Sequence, residues 1–215
     1  MIFQSSRIGW MDTYQGIDKI HGGGAYVDKH GKGGEMWNFR KEGGRFYGYM
    51  MTKNFAGIDL SKIMPDRKWE EGDELPNIDI AFISKNPEPN VGQVVIGWYK
   101  NATVFHKEYR KRRGSKKHDD WDNIDYLCEV SAENGKLLNA PDRTFQVPHG
   151  KGFPGLSNVW YGNEKNSKII QFKKQLRKYI NSGTIVRNNR NKKEILAIER
   201  AAVEVVWQFY EKRDR

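Results

Sequence analysis

Apolar segments separated by turn-forming residues fill the middle of the chain. Residues 77–84 (NIDIAFIS) and 94–99 (VVIGWY) have the composition of strands, and the residues NPEPNVGQ between them are typical of a turn. We expect these two segments to form an antiparallel hairpin. Five further segments are predicted to be strands: 45–52, 103–106, 125–132, 136–138 and 143–148.

Two short sequences between these strands indicate how the chain turns. KNA precedes the strand at 103–106 and predicts a turn, while ENG predicts a hairpin between the segments at 125–132 and 136–138. Residues 1–44 are rich in glycine and show no regular periodicity. Short strands that continue to about residue 148 are most easily closed as a curled sheet or small barrel.

Two amphipathic segments follow the strands. Residues 164–180 place Ile169, Phe172, Leu176 and Tyr179 on one face of a helix and lysines on the other. Residues 192–213 have the strongest helical periodicity in the chain. The predicted fold class is therefore α+β, a curled β-barrel with flanking helices and a C-terminal helix. The expected organisation has three parts: a domain at 1–182, a linker at 183–191 and a helix at 192–215.

The overall charge favours a polyanionic partner. The 215 residues carry a formal net charge of +10, and aromatic residues make up 13% of them. A basic surface of this kind attracts nucleic acid first and an anionic membrane second. No run of 18 apolar residues and no signal peptide is present, and the single cysteine, Cys128, excludes an internal disulfide. We expect a cytoplasmic protein.

The sequence gives little support to an enzyme. GKGG at 31–34 lacks the spacing of a phosphate-binding loop, and the five histidines lack metal-ligand spacing. We therefore expect no cofactor, no metal and no catalytic residue. The acidic segment 118–125 leaves one alternative open, a metal-dependent nuclease that would use Asp119.

A dense basic run follows the strand that contains Trp98. Seven cations lie within residues 107–117, with Glu108 as the one acid. Lysine and arginine contacts to phosphates supply most of the sequence-independent affinity for nucleic acid. The run therefore predicts a contact with a nucleic-acid backbone.

Three aromatic clusters lie beside small or amide-bearing residues: MWNFR at 36–40, GWYK at 97–100 and SNVWYG at 157–162. At least half of these rings must belong to the core. Neighbouring residues of a strand face opposite sides. When one ring of a pair packs into the core, the other ring can therefore line a cage on the opposite side. Flat rings for stacking and amides that bond a base edge are the chemistry by which an extruded base is held.

Three segments carry a resemblance to a known family. MWNFR, GQVVIGWYKNATVFHKEYRKR and GKGFPGLSNVWYG resemble the EVE-like branch of the PUA-like superfamily. They resemble more closely the N-terminal recognition domain of bacterial modification-dependent restriction proteins. The resemblance spans about residues 1–182, and Leu156 stands where glutamine is expected.

This resemblance implies a curled barrel related to YTH and SRA-type readers. Such a domain binds double-stranded DNA and holds a flipped 5-methyl- or 5-hydroxymethylcytosine in an aromatic pocket. The implied pocket residues, with Trp98 as the preferred ring, are Trp37, Asn38, Phe39, Trp98, Tyr99, Ser157, Asn158 and Trp160. The implied phosphate contacts are Arg40, Arg110, Lys111, Arg112, Arg113, Lys116, Lys117 and Lys151.

The last helix is similar to the opening helix of a nuclease-like domain that often follows such readers. Any nuclease activity would then belong to a missing domain or to a partner subunit. The same helix also allows a homodimer or a protein-interaction module. A reader of modified RNA or tRNA is a further alternative, because related folds bind RNA.

Overall fold

The computed structural model describes residues 4–22, 25–112, 125–154 and 158–182. Ten strands and two α-helices lie within these ranges. The strands are β1 (Gln4–Ile8), β2 (Arg45–Gly48), β3 (Glu74–Lys85), β4 (Gln93–Phe105), β5 (Arg110–Lys111), β6 (Asp125–Tyr126), β7 (Cys128–Ser131), β8 (Gly135–Leu137), β9 (Gln146–Val147) and β10 (Val159–Trp160). The helices are α1 (Ala25–His30) and α2 (Ser167–Ser182).

The main sheet is built around the two long strands β3 and β4. Its order is β10-β1-β3-β4-β7-β2, and β8 and β9 also pair with β4. The pairing of β1 with β3 is parallel, whereas the other pairs of this sheet are antiparallel. Strands β5 and β6 form a separate antiparallel pair. The molecule is thus a mixed α and β structure dominated by an antiparallel sheet, and its architecture is compatible with a barrel-like domain.

The predicted hairpin between residues 77–84 and 94–99 is confirmed by the antiparallel pairing of β3 with β4. The predicted turn at KNA is wrong, since β4 continues through it to Phe105. Asn101 adopts a left-handed backbone conformation with φ of 53°, which asparagine tolerates better than most residues. Its N–H donates to Oδ1 of Asp79 at 3.1 Å, so an irregularity in the ladder replaces the turn.

The predicted hairpin at ENG is also wrong. Strands β7 and β8 both pair with β4 rather than with each other. A 3-10 turn at Ala132–Asn134 joins the two strands, so that β7 pairs with β4 at Val104 and β8 pairs with it at Trp98. Strand β1 and helix α1, within the first 44 residues, were not predicted. Strand β1 has the largely polar sequence QSSRI, and α1 is six residues long with glycines on both sides.

Side chains on the two faces of the sheet enter two separate clusters of buried residues. On β3 and β4, Ile80 and Tyr99 belong to the first cluster, whereas Ala81 and Trp98 belong to the second. This division follows from the alternation of side chains along a strand. Loops from the first 60 residues cover the first cluster, and α2 covers the second.

The predicted helix at 164–180 is confirmed as α2. The side chains expected on its apolar face, Ile169, Phe172, Leu176 and Tyr179, are all buried in the second cluster. Among the described residues, neither helix has the length and hydropathy needed to cross a membrane. The predicted linker at 183–191 and the helix at 192–215 lie outside the described residues.

Candidate functional site

The aromatic residues predicted to form one pocket lie on opposite faces of the sheet. Trp37, Phe39 and Tyr99 belong to the first buried cluster, and Trp98 and Trp160 belong to the second. Rings separated by a sheet cannot sandwich one base. The predicted set therefore does not form a single pocket.

Trp98, the ring preferred for stacking on a base, is covered by helix α2. Its side chain is 2% exposed and meets Tyr179 edge-on, with 5.6 Å between ring centroids. The ammonium of Lys136 lies 5.5 Å from the Trp98 centroid. The expected role of Trp98 is therefore not met in this structure, because its neighbours make it a packing residue between sheet and helix.

Phe39 and Tyr99 form part of an aromatic core. The centroids of Phe39 and Tyr99 are 5.4 Å apart, and both rings lie edge-on to Phe82 at 5.3 and 4.7 Å. The Tyr99 hydroxyl donates to the backbone carbonyl of Asn38. Burial raises the pKa of Tyr99 well above its ordinary value, so this hydroxyl stays protonated. These contacts assign both rings to the core rather than to a cage.

The amide of Asn38 is occupied by the backbone of Tyr49. Its Nδ2 donates to the Tyr49 carbonyl at 3.0 Å, and its Oδ1 accepts from the Tyr49 N–H at 2.8 Å. The side chain is fully buried. An amide bonded in this way on both sides cannot also bond a base edge, so the predicted role of Asn38 is replaced by a structural one.

Trp160 is held in the second cluster by several contacts. Its Nε1 donates to the carbonyl of Gly152 at 2.8 Å, and its ring meets Phe172 edge-on at 6.0 Å. Asn158, two residues earlier, is exposed at the surface. Ser157 lies outside the described residues. Of the three predicted side chains in this motif, Asn158 is therefore the one that the structure shows to be accessible.

The first cations of the basic run are engaged within the protein. Arg110 forms ion pairs of 2.7 Å with both Glu74 and Glu108. Lys111 forms an ion pair of 2.9 Å with Asp125. These carboxylates neutralise part of the positive charge that was predicted to contact phosphates. The predicted contacts Arg113, Lys116 and Lys117 lie outside the described residues.

Arg112 is a buried cation. The residue is 4% exposed, and its Nη2 donates to the carbonyl of Tyr47 at 2.8 Å. Burial lowers the pKa of Arg112 to about 10. A guanidinium in this position does not reach a phosphate in solution, so the expected role of Arg112 is not met. Among the other predicted contacts, Arg40 is half-buried and Lys151 is exposed.

A carboxyl that the sequence analysis did not single out lies beside Trp37. Glu35 and Trp37 share the short 3-10 turn Gly34–Trp37, which begins after an extended Gly33. A Cβ added to Gly33 would lie 2.6 Å from Oε2 of Glu35, and one added to Gly16 would lie 2.1 Å from the indole nitrogen of Trp37. Glycine backbone therefore approaches both the carboxyl and the ring directly.

Two opposing effects act on the pKa of the Glu35 carboxyl, and burial is the larger. Burial raises the pKa of the Glu35 carboxyl, and the backbone N–H groups of Glu35 and Gly9 oppose part of that rise. The neighbouring titratable group is Tyr14, whose pKa is raised first by burial and further by the charge of Glu35. A desolvated carboxyl that retains its proton to a higher pH can both donate and accept a hydrogen bond.

We use the name Glu35 recess for the Glu35 carboxyl, the Trp37 indole and the glycine backbone packed near them at Gly9, Gly16 and Gly33. One signal in the sequence could have indicated it. In GGEMWNF a single acid stands between two glycines and a pair of large apolar residues. A single acidic residue with only glycine and apolar neighbours does not belong to an exposed polar segment. It is therefore expected either to be buried or to have a function.

Metal chemistry finds no support in this part of the chain. Within the ranges that the structure describes, no three His, Cys, Asp or Glu side chains are grouped as metal ligands. Nδ1 of His106 accepts a hydrogen bond from the Leu60 N–H at 3.0 Å, a structural role. The acidic segment with Asp119 lies mostly outside the described residues. Comparisons with protein-family models, with curated proteins and with solved structures return no match to this chain.

Proposed function

We propose that this chain is a cytoplasmic reader of double-stranded DNA that holds an extruded 5-methyl- or 5-hydroxymethylcytosine. The fold proposed with it is a PUA-like barrel, as the EVE-like resemblance implies. The observation that carries the proposal is the half-buried carboxyl of Glu35 packed against the backbone of Gly33, where burial raises its pKa. The net charge of +10 supplies the general attraction to a polyanion.

The chemistry of Glu35 matches the edge of cytosine. An extruded cytosine offers an amine donor at N4 and an acceptor at N3. A neutral carboxyl accepts from N4 through its carbonyl oxygen and donates to N3 through its hydroxyl. Burial shifts the pKa of Glu35 in the direction of this neutral form, and we assign to its carboxyl the edge-reading role first assigned to Asn38.

Trp37 is the predicted aromatic residue that keeps a place in this pocket. It lies two residues after Glu35 in the same 3-10 turn, and its ring is 6% exposed and packs against the backbone of Gly16, so a base must displace part of this packing to stack on the indole. Stacking on an aromatic ring contributes about 1–3 kcal/mol per base, which offsets the few kcal/mol needed to unstack it. The exposed amide of Asn158 remains a predicted second contact.

The test is a binding panel of matched duplexes and three variants at the recess. The duplexes carry plain cytosine, 5-methylcytosine, 5-hydroxymethylcytosine or N6-methyladenine, with 2-aminopurine beside the target to report extrusion. Glu35→Ala should weaken binding of the modified-cytosine duplex on the order of 10- to 100-fold, because a bidentate base contact is lost. Plain duplex should change little, because its cytosine is expected to stay stacked and the edge that Glu35 bonds, N3 and N4, is reached only when the base is extruded. Glu35→Gln keeps one donor and one acceptor and should retain most of the discrimination.

Gly33→Ala tests the geometry without changing the carboxyl. Gly33 has φ of −153°, which alanine adopts without strain, but the new methyl occupies the space of the Glu35 carboxyl. This variant should lose discrimination as Glu35→Ala does. Glu88→Ala removes an exposed carboxylate elsewhere and serves as the matched control. Equal binding of all four duplexes by the unmodified chain, or tighter binding of a modified RNA strand, would reject the proposal.

A further inference from the structure

Helix α2 presents a face of positive charge to solvent. Lys168, Lys174, Arg177 and Lys178 are exposed on it. No Asp or Glu occurs between residues 165 and 182. Lys174 and Lys178 are one helical turn apart, a like-charge spacing that slightly destabilises an isolated helix. A bound polyanion would relieve that repulsion.

Packing fixes the direction in which these cations point. The Phe172 ring contacts Phe145, Phe153 and Trp160 at centroid distances of 6.1, 5.7 and 6.0 Å. Tyr179, two turns later, stacks on Phe145 at 4.7 Å. A helix anchored by buried rings at both ends of its apolar face cannot rotate about its axis, so the opposite face stays turned outward.

Not every lysine of α2 belongs to this outward face. Nζ of Lys173 donates to the carbonyl of Gly162 at 2.6 Å, and the residue is half-buried. Lys173 therefore joins the helix to the loop before it. The exposed lysines at 168, 174 and 178 form a separate set, which we call the α2 lysine row. Lys174 and Lys178 lie one turn apart on the face opposite the core, and Lys168 lies about 120° round the helix from Lys174.

The acidic residues of the protein are concentrated elsewhere. Residues 57–77 contain twice as many carboxylates as cations, and the cations of β5 pair with carboxylates at 74, 108 and 125. Residues 145–182 contain seven Lys and Arg against Glu164 alone. The segment that includes α2 therefore carries a local excess of six positive charges.

We propose that the α2 lysine row is a docking surface for the sugar-phosphate backbone of a nucleic-acid duplex. From Lys168 to Lys178 the helix rises about 15 Å, a length over which duplex DNA carries roughly nine phosphates. The apolar face of α2 is buried in the protein, so the helix has no free apolar face to insert into a membrane. This inference rests on the proposed DNA binding. Because Trp37 packs in the first cluster and α2 covers the second, on the opposite face of the sheet, the duplex segment that docks on α2 is distinct from the base held at the Glu35 recess.

The experiment compares two triple variants of equal charge. Lys168→Gln/Lys174→Gln/Lys178→Gln neutralises the α2 lysine row, and glutamine retains helix propensity. Lys19→Gln/Lys53→Gln/Lys68→Gln removes the same charge at exposed positions in segments that pack on the first cluster, which lies on the face of the sheet opposite α2. Affinity for plain and 5-methylcytosine duplexes is measured between 50 and 200 mM salt, and thermal unfolding shows that both variants fold.

The α2 triple variant should bind both duplexes roughly 10- to 100-fold more weakly near 150 mM salt, and the salt slope should fall by about 2–3. The ratio between modified and plain duplex should stay unchanged, because backbone contacts carry no base information. The control triple variant should keep most of the affinity. Equal effects of the two triple variants would overturn the inference while DNA binding itself stands. Binding of both triple variants to anionic lipid vesicles is also measured. If the α2 triple variant loses binding to the vesicles but keeps its affinity for DNA, the inference is equally overturned.

Failure of the proposed function has a different signature. If the unmodified chain shows no preference for modified cytosine but the α2 triple variant still lowers the salt slope, the base-reading proposal fails and the docking surface stands. If the unmodified chain binds no duplex at all, both proposals fail together.

Discussion

At the level of single residues, buried polar side chains in this protein hold loops to the core. Arg143 is an example: its guanidinium donates to the carbonyls of Leu138, Met11 and Asp12 at 3.0, 2.6 and 2.7 Å. The same group lies over the ring of Trp10 at 4.6 Å. One side chain thus connects the segment after β8 to the loop that follows β1.

Asn38 has a comparable role, and its removal should be costly. Asn38→Ala would leave the N–H and the carbonyl of Tyr49 without their side-chain partners in a buried site. We expect a loss of about 2–4 kcal/mol in the free energy of unfolding, measured by urea denaturation. Asn181→Ala changes an exposed asparagine of α2 and should have little effect. A loss of modified-base discrimination without a loss of stability would return Asn38 to the pocket.

At the level of elements, β4 organises the sheet because it pairs along its whole length. It pairs with β3 on one edge and with β9, β8 and β7 in turn on the other. Because side chains alternate between the two faces of a strand, neighbouring residues of β4 enter different buried clusters. The helix-facing side of β4 contributes Trp98, and the other side contributes Tyr99.

Trp98→Ala tests the assignment of that ring to the contact between sheet and helix. Removing a large buried ring should lower the free energy of unfolding by about 3–5 kcal/mol, because a cavity remains beneath α2. Among molecules that stay folded at low temperature, the ratio of affinities for modified and plain duplex should be unchanged. A stable variant that no longer distinguishes the two duplexes would place Trp98 in a base pocket. Trp98→Phe, a smaller change at the same position, should show part of the stability loss.

At the level of the whole molecule, periodicity predicted the faces of elements but not their partners. The hairpin of β3 and β4 and the buried face of α2 follow from local alternation, so the sequence was enough to predict them. Whether an aromatic residue enters a core or a pocket depends on what covers it, and that depends on distant segments. Arg112, for example, bonds a carbonyl 65 residues earlier in the chain, which no local pattern reveals.

The predicted domain boundary at residue 182 can be tested by truncating the chain there. The sequence predicts that the domain ends at residue 182, and the described members of both buried clusters lie between Ile8 and Ile180. We expect a chain that ends at residue 182 to unfold at about the same temperature as the whole chain, as measured by calorimetry. It should also keep the preference for modified duplex, since the Glu35 recess and the α2 lysine row are both retained.

Size-exclusion chromatography with light scattering separates the possible roles of residues 183–215. A dimer of the whole chain that becomes a monomer on truncation would assign self-association to the predicted last helix. A clear drop in unfolding temperature would instead make that helix part of the fold, because the two clusters would then need it for cover. Retained stability with lost DNA binding would show that the basic segment after residue 182 adds phosphate contacts to those of α2, and the salt slope of the truncated chain would measure how many.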